Sequence, residues 1–238
     1  VSDELSQTLS VSKGYAYLVQ NTRIRGVRAH APKPLSSGQL AKCTIDLILA
    51  GLAFIILLPV FFAIALAVRL DGGPVFYVQP RVGRGGRSFK CYKFRSMRVN
   101  ADELLANVLL SNADEAESWR INRKLRNDPR VTPVGKFLRK TSLDELPQLL
   151  NILRMDMSLV GPRPIVEQEV HLYGADVSKY YSCRPGLTGV WQISGRSDTT
   201  FQERVGFDTS YVDNWSVWLD LRIILKTVPA VLAGSGAR

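Results

Sequence analysis

One stretch breaks the alternation of polar and apolar residues along the whole chain. Leu47–Val68 reads LILAGLAFIILLPVFFAIALAV, carries no charge, and at about 22 residues is long enough for a membrane helix. A buried core helix is the alternative for a run of this kind. Ahead of it, residues 1–41 are polar, with Ala31-Pro32-Lys33-Pro34 and Ser36-Ser37-Gly38 scattered through them. They predict a flexible or loosely docked tail, with no apolar core in the first thirty residues to mark a secretory signal. Beyond it the periods shorten. Gly72-Gly73-Pro74 predicts a turn, Val75–Val78 a strand, and Arg81–Arg87 a flexible basic loop. Phe89–Met97 predicts a second strand, whose period of two puts Cys91, Lys93 and Arg95 on one face. Asn100 opens a capped helix carrying Leu104, Leu105, Val108 and Leu109 to about Leu125. Thr132-Pro133 starts a short helix, and Leu146, Leu149, Leu150, Ile152 and Leu153 continue helically to about Arg154. Ile165–Tyr173 predicts a helix stopped by Gly174, Arg184–Gly189 a turn, and Val190–Ile193 a strand before Gly195-Arg196. Thr200 and Glu203 cap a helix to about Val212. Trp215–Leu232, with Trp215, Trp218, Leu219, Ile223, Leu225 and Val228, predicts an amphipathic helix that suits either a membrane interface or a soluble domain's surface.

Charge changes the picture of the apolar run. The 238-residue chain has a formal net charge of +10, which points to an anionic partner: nucleic acid, an acidic membrane surface or a phosphorylated substrate. Arg28, Lys33 and Lys42 precede the run, and Arg69, Arg81, Arg84, Arg87 and Lys90 follow it. The positive-inside rule places both flanks in the cytoplasm, which a single crossing cannot satisfy. Pro59, near the centre, removes a backbone hydrogen bond and kinks a helix. Two arms of about 11 residues, roughly 17 Å each, reach half-way into a ~30 Å hydrocarbon core. The expectation is a kinked, re-entrant membrane helix hairpin over 42–70, both ends cytoplasmic, followed by a catalytic domain over 71–238.

Cys43, Cys91 and Cys183 are odd in number and widely spaced, and His30 and His171 sit in no metal pattern. Catalysis therefore falls to carboxylates, lysines and arginines. These converge in Lys136-Phe137-Leu138-Arg139-Lys140-Thr141-Ser142-Leu143-Asp144-Glu145-Leu146-Pro147-Gln148. Ser142 and Glu145 fit a capping box, while Pro147 suits a first helical turn, and both registers stand. Either puts Asp144 and Glu145 at the positive end of a helix beside Arg139 and Lys140, which favours an ionised carboxylate able to act as nucleophile, metal ligand or base. The plainer reading is a capped helix start with a solvated basic face. Lys93 and Arg95 read as a phosphate clamp or as a solvated sheet face. Arg81 and its neighbours read as a loop facing headgroups or phosphates; no P-loop is present. Arg163, framed by Pro162 and Pro164, loses little conformational freedom on meeting an anion.

In series, the proline-centred apolar run, Gly73–Tyr77, Gln79–Gly83, Tyr92–Met97, Lys136–Gln148, Leu159–Pro164 and Arg184–Gln192 resemble the bacterial sugar transferase family, the monotopic phosphoglycosyl transferases, from about Lys42 to the C-terminus. One departure is Leu58, where the family often has a serine before the kink proline. The resemblance implies an α/β (α+β, helix-rich) domain at the cytoplasmic face of a bacterial inner membrane, with interfacial amphipathic helices. It implies transfer of hexose-1-phosphate, galactose before glucose, from a UDP-sugar to undecaprenyl phosphate, releasing UMP and starting exopolysaccharide synthesis. Asp144 would be the nucleophile and a ligand of Mg²⁺, with Glu145 orienting it or supporting the metal. Arg139 would grip the lipid phosphate, Lys93 and Arg95 would steady the diphosphate, Arg81 would aid substrate binding, and Arg163 would contact the nucleotide side. Inner-membrane lipids and downstream glycosyltransferases are the other implied partners. The rivals are a membrane-tethered nucleic-acid-binding module, for which no motif is visible, and a non-catalytic scaffold.

Overall fold

The computed structural model describes residues 36–122, 125, 127–194 and 200–232. Most of the expected tail, His30 and Gly195-Arg196 lie outside the described residues. In chain order the elements are α1 (Ser37–Leu70), β1 (Phe76–Val82), β2 (Ser88–Phe94), α2 (Ala101–Ser111), α3 (Ala113–Asn122), α4 (Pro133–Thr141), α5 (Gln148–Leu153), β3 (Ser158–Val160), α6 (Val177–Ser182), β4 (Gly186–Thr188), α7 (Val190–Ser194), α8 (Phe201–Asp213) and α9 (Val217–Leu232). Short 3-10 segments occur at Arg84–Gly86, Leu143–Glu145 and Glu167–Asp176. This is a mixed, helix-rich α/β chain with small sheets.

The long helix starts earlier than the polar pattern predicts. Ser36 Oγ accepts the Gln39 N–H and Gln39 Oε1 accepts the Ser36 N–H, a capping box that turns the end of the expected tail into helix. α1 then continues as one helix through Pro59. Its most apolar window has a mean hydropathy of 2.9, long and apolar enough to cross a membrane. Cys43, Asp46, Ala50, Phe61, Ile64 and Val68 form one buried stripe, while Ile48, Leu52, Ile55, Ile56, Phe62, Leu66 and Leu70 are exposed. The stripe packs on α5 and β2, where Phe61 meets Phe94 at 5.5 Å and Phe94 stacks on Phe76 at 5.5 Å.

β1 and β2 form an antiparallel hairpin, in register from Phe76↔Phe94 to Val82↔Ser88. The expected basic loop is shorter than predicted, because Arg81 and Val82 belong to β1. Gly85 and Gly86 turn the chain at φ of 69° and 75°, where a Cβ would be strained. The free edge of β2 is covered by one side chain: Asn151 of α5 accepts the Tyr92 N–H at 3.0 Å and donates to the Lys90 carbonyl at 2.7 Å. The second sheet is parallel, pairing Ser158 with Gly186 and Val160 with Thr188. Two expectations change here. Gly186–Thr188 is a strand rather than part of a turn, because β3 supplies its ladder, and Val190–Ser194 is helical rather than extended. The ladder demands glycine, since a Cβ on Gly186 would lie 2.1 Å from the Gly161 nitrogen.

Two buried networks tie α1 to this body. Lys42 pairs with Asp220 of α9 at 2.6 Å, and Asp220 also accepts from Tyr211 Oη at 2.7 Å and Trp215 Nε1 at 3.1 Å. Asp46 accepts from Ser158 Oγ at 2.7 Å and the Leu159 N–H at 3.2 Å, and pairs with Arg184 at 3.3 Å. α9 packs on the body, as the second of its two sequence readings has it: Ile223 is buried against Val160 and Tyr211, while Trp218 and Leu225 are exposed. α8 starts on the predicted cap, with Thr200 and Glu203 bonded reciprocally.

Residues 100–130 belong to a separate compact unit. The single helix predicted there is two, because Asn112 is extended (φ −140°, ψ 106°) and its Oδ1 accepts the Glu115 N–H, restarting the helix. Within this unit Arg130 forks onto Asp128 at 2.7 and 2.6 Å and lies 4.8 Å over the Trp119 ring.

Candidate active site

The acidic pair is delivered by α4. Thr132 caps this helix by accepting the Gly135 N–H at 2.9 Å, and Pro133 opens it. Gly135 lets α4 lie directly on the chain at Ser96: a Cβ there would come within 1.9 Å of the Ser96 carbonyl oxygen. That contact brings Arg139 Nε to 2.9 Å from Ser96 Oγ. α4 then ends on Ser142, whose φ of 57° is left-handed and whose N–H bonds back to the Arg139 carbonyl. Ser142 therefore closes one helix instead of opening the next, and it forms no capping box with Glu145. The chain makes a single 3-10 turn, Leu143–Glu145, and α5 begins only after Pro147. The alternative register based on Pro147 comes within one residue of this. With Asp144 and Glu145 on a separate turn ahead of a six-residue helix, the dipole argument loses most of its force.

The two carboxylates differ. Glu145 is locked to Lys93 Nζ at 2.5 Å. Burial pushes its carboxyl up, but Lys93, Arg163 and Arg81 outweigh this and hold it below the usual glutamate value. Asp144 carries no ion pair among the described residues. Burial raises its carboxyl to about 6; Lys93 and Arg139 oppose the rise and Glu145 adds to it. The expectation that its neighbours would favour ionisation beyond the ordinary is thus reversed for Asp144, because desolvation exceeds the attraction of the cations. At neutral pH the group remains largely ionised.

A cleft is lined by Arg81, Lys93, Glu145, Gln148, Arg163 and Gln192, with Cys91 on its wall; of the acidic pair only Glu145 lines it. Arg81 is held by the Pro164 carbonyl at 2.9 Å and Gln79 Oε1 at 2.7 Å, and burial and Arg163 both lower its pKa. Arg163 lies 5.1 Å over the Trp191 ring, which Arg204 also approaches at 4.9 Å. Arg95 is elsewhere. It lies past the end of β2, buried, donating to the Val68 carbonyl at 3.0 Å, so it closes the last turn of α1 and does not stand beside Lys93. The shared strand face predicted for the two stops at Phe94. Arg139 is not on the cleft wall but acts on Asp144 through its field.

Three contributors escape a reading of the sequence. Asn151 fixes α5, and with it the acidic turn, against the strand that carries Lys93; its one visible signal is a lone amide among Leu149, Leu150, Ile152 and Leu153. Gln148 is 3 % exposed and faces the cleft one helical turn after Asp144. Asp208 of α8 is buried, accepting from Tyr173 Oη at 2.6 Å. Burial raises its carboxyl to about 7 against the pull of Tyr173, Arg163 and Arg204. Nothing local marks it.

Among the described residues no group of three or more His, Cys, Asp or Glu side chains is placed to hold a metal. Mg²⁺ is commonly held by one or two carboxylates together with substrate phosphates, and the unpaired Asp144 carboxylate is a hard oxygen donor of that kind.

Comparison with known proteins gives a family and its activities. The family described as bacterial sugar transferase matches residues 37–234. Exopolysaccharide production protein ExoY of Rhizobium meliloti is 53% identical over 201 residues, covering 84% of this chain and 89% of that protein. The undecaprenyl-phosphate galactose phosphotransferase of Salmonella typhimurium is 48% identical over 84% of this chain but only 42% of its own length. The UDP-glucose:undecaprenyl-phosphate glucose-1-phosphate transferase of Caulobacter vibrioides is 37% identical over 98% of this chain and 87% of its own.

Proposed function

The chain belongs to the bacterial sugar transferase family, and from that premise we propose that it moves hexose-1-phosphate from a UDP-sugar to undecaprenyl phosphate, the first step of exopolysaccharide synthesis. Galactose is the first choice and glucose the second. The relatives named for exopolysaccharide production and galactose transfer, at 53% and 48% identity, stand nearer than the glucose transferase at 37%.

The observation that carries the mechanism is the division of labour in the acidic pair: Glu145 is tied to Lys93 on the wall of a cation-rich cleft, while its chain neighbour Asp144 is half-buried and carries no ion pair among the described residues. A carboxylate oxygen of Asp144 attacks the β-phosphorus of the donor. The bond from that phosphorus to the bridging oxygen breaks, and UMP leaves with the oxygen and its electron pair. The sugar-phosphoryl group then stands on Asp144 as an acyl phosphate. An oxygen of undecaprenyl phosphate attacks the same phosphorus, the bond from that phosphorus to the carboxylate oxygen breaks, and Asp144 leaves as the carboxylate with the electron pair. Mg²⁺ held by Asp144 and the diphosphate would supply charge neutralisation. Arg81, Lys93 and Arg163 line the wall that meets the donor's phosphates, and Glu145 keeps Lys93 in place. Arg139, held by Ser96, is the cation for the lipid phosphate.

The same proposal sets the protein on the cytoplasmic face of the inner membrane with α1 re-entrant. Asp46 near one end of the apolar run is held by Ser158 and Arg184, and the Val68 carbonyl at the other end by Arg95. In a straight helix those points lie roughly 33 Å apart, the thickness of the hydrocarbon core. One polar body bonded to both points supports the reading that both ends lie on one side. Pro59 is the position for the bend.

The test is incubation with radiolabelled UDP-galactose or UDP-glucose without lipid, followed by mass analysis. Phosphohexose on Asp144, absent in Asp144→Asn, is the expected result. Turnover that persists in Asp144→Asn would overturn the reading, and the labelled sugar decides the donor.

A further inference from the structure

One buried hydroxyl joins the two segments that bring arginines to the cleft wall. Arg81 stands in β1 one residue before Val82, and Arg163 stands between two prolines, two residues before Ile165. Both arginines line the cleft. Val82 and Ile165 meet as an antiparallel bridge, in which the Val82 N–H donates to the Ile165 carbonyl at 2.9 Å. A hydrogen-bonded antiparallel pair ordinarily closes with a second direct bond running the other way. Here the Tyr180 hydroxyl stands in that return path: it accepts the Ile165 N–H at 3.2 Å and donates to the Val82 carbonyl at 2.7 Å. Tyr180 belongs to α6 and is 2 % exposed, and its ring lies 5.1 Å from that of Tyr173 and 6.1 Å from that of Tyr181, so core packing aims the hydroxyl. The Arg81 guanidinium adds a further tie between the same segments, donating to the Pro164 carbonyl at 2.9 Å. The hydroxyl thus sets the spacing of the two backbones beside both arginines. Without it a buried N–H and a buried carbonyl lose their partner, and they recover a bond by closing on each other, which moves the Arg163 segment relative to Arg81.

We propose that Tyr180 is a positioning residue for donor binding: its hydroxyl holds the end of β1 and the Pro162-Arg163-Pro164 segment at the separation at which Arg81 and Arg163 together meet the phosphates of a nucleoside diphosphate. Two cations that share one diphosphate need their spacing held to within roughly 0.5 Å. The inference rests on the reading of Arg81 and Arg163 as donor contacts. It differs from a purely structural tyrosine in what it predicts for affinity. A structural hydroxyl would lower stability and leave the dissociation constant for the nucleotide alone; a positioning hydroxyl changes that constant, and only while Arg163 is present.

The experiment measures the Kd for UDP by calorimetry on the full-length, detergent-purified protein, with Tm recorded for every variant and sugar transfer assayed separately. Tyr180→Phe, which keeps the ring and removes the hydroxyl, weakens UDP about tenfold. The double variant Arg163→Ala/Tyr180→Phe binds no worse than Arg163→Ala alone. Additive losses in the double variant, or an unchanged Kd in Tyr180→Phe with a lower Tm, overturn the proposal. If Tyr180→Phe does not fold, hydrogen exchange on the wild-type protein decides. UDP then slows exchange of the Ile165 amide more than that of the Leu159 amide, which is bonded to Asp46 in the network at the start of α1; equal slowing overturns the proposal. An Arg163→Ala protein with unchanged UDP affinity removes the donor contact itself and overturns the inference with it. UDP binding that depends on Tyr180 in a protein that transfers no sugar leaves the positioning role standing and sinks the transferase reading instead.

Discussion

Two groups of partly or fully buried charges in this protein are built on opposite principles. At the start of α1, Lys42 and Arg184 face Asp46 and Asp220, and hydroxyl, indole and backbone donors fill the remaining acceptor positions. On the cleft wall Arg81, Lys93 and Arg163 stand with Glu145, Glu169 lies 4.0 Å from Arg81, and Asp144, next to Glu145 in the chain, carries no ion pair among the described residues. The first group is balanced and needs nothing from outside. The second is matched in number but not in pairing: Arg81, Lys93 and Arg163 converge on one wall while Asp144 stands outside their ion pairs among the described residues, a surface open to an anion rather than an internal strut. Pairing within each cluster separates binding from fastening better than burial does, since both clusters are shielded.

The comparison can be broken first at Asp46. Asp46→Ala leaves Arg184 and Ser158 without their buried acceptor and is expected to lower stability by about 3–5 kcal/mol, read as a Tm drop of roughly 10 °C. Folded molecules should keep their UDP affinity. A loss of affinity at unchanged Tm would mean the two clusters are not separate. Lys93→Met tests the cleft. It is expected to reduce sugar transfer about 100-fold, or ~2.7 kcal/mol, while Tm moves by only a few degrees, because both partners keep part of their surface in water and such pairs stabilise little. A collapse in Tm without a rate effect would reassign Lys93 to the fastening class. The smallest effect sharpens the comparison at Asp208, a buried carboxylate behind the cleft wall. Its folded pKa, about 7, lies above the ordinary aspartate value of 3.8. Its contribution to stability is therefore present at low pH and lost as pH rises through about 7. Asp208→Asn does not titrate, so its Tm relative to the wild type should rise between pH 5 and pH 8, by an amount on the order of 2 kcal/mol. A gap that stays constant or narrows would reject this.

What the sequence revealed follows from range. The apolar run, the two strands on either side of Gly85-Gly86, the Thr200–Glu203 cap and the acidic pair within its basic run are all written within a few residues of one another, and the structure bears each out, though the strands pair as a hairpin that the pattern did not state. The errors came where a local signal had a distant competitor. Ser142 and Glu145 have the spacing of a capping box, but the close docking of α4 at Ser96 places Ser142 at the helix's far end. Pro185-Gly186 looks like a turn until Ser158–Val160 pairs with the residues that follow. Lys93 and Arg95 alternate correctly, but the strand ends between them and α1 captures the second. Asn151, Asp46 and Asp208 find partners 35 to 113 positions away, and no spacing rule reaches that far.

The Asn151 amide has a further consequence. A two-stranded ribbon leaves both flanks available to a foreign chain, and crowding at a membrane surface makes such encounters frequent. On one flank the amide imitates the neighbour that a larger sheet would have provided, using up the donor of Tyr92 and the acceptor of Lys90. On the other flank Pro80 withholds a donor. One small side chain thereby both guards against misassembly and holds the acidic turn against the strand that carries Lys93, so a single substitution at Asn151 would disturb edge protection and site geometry together.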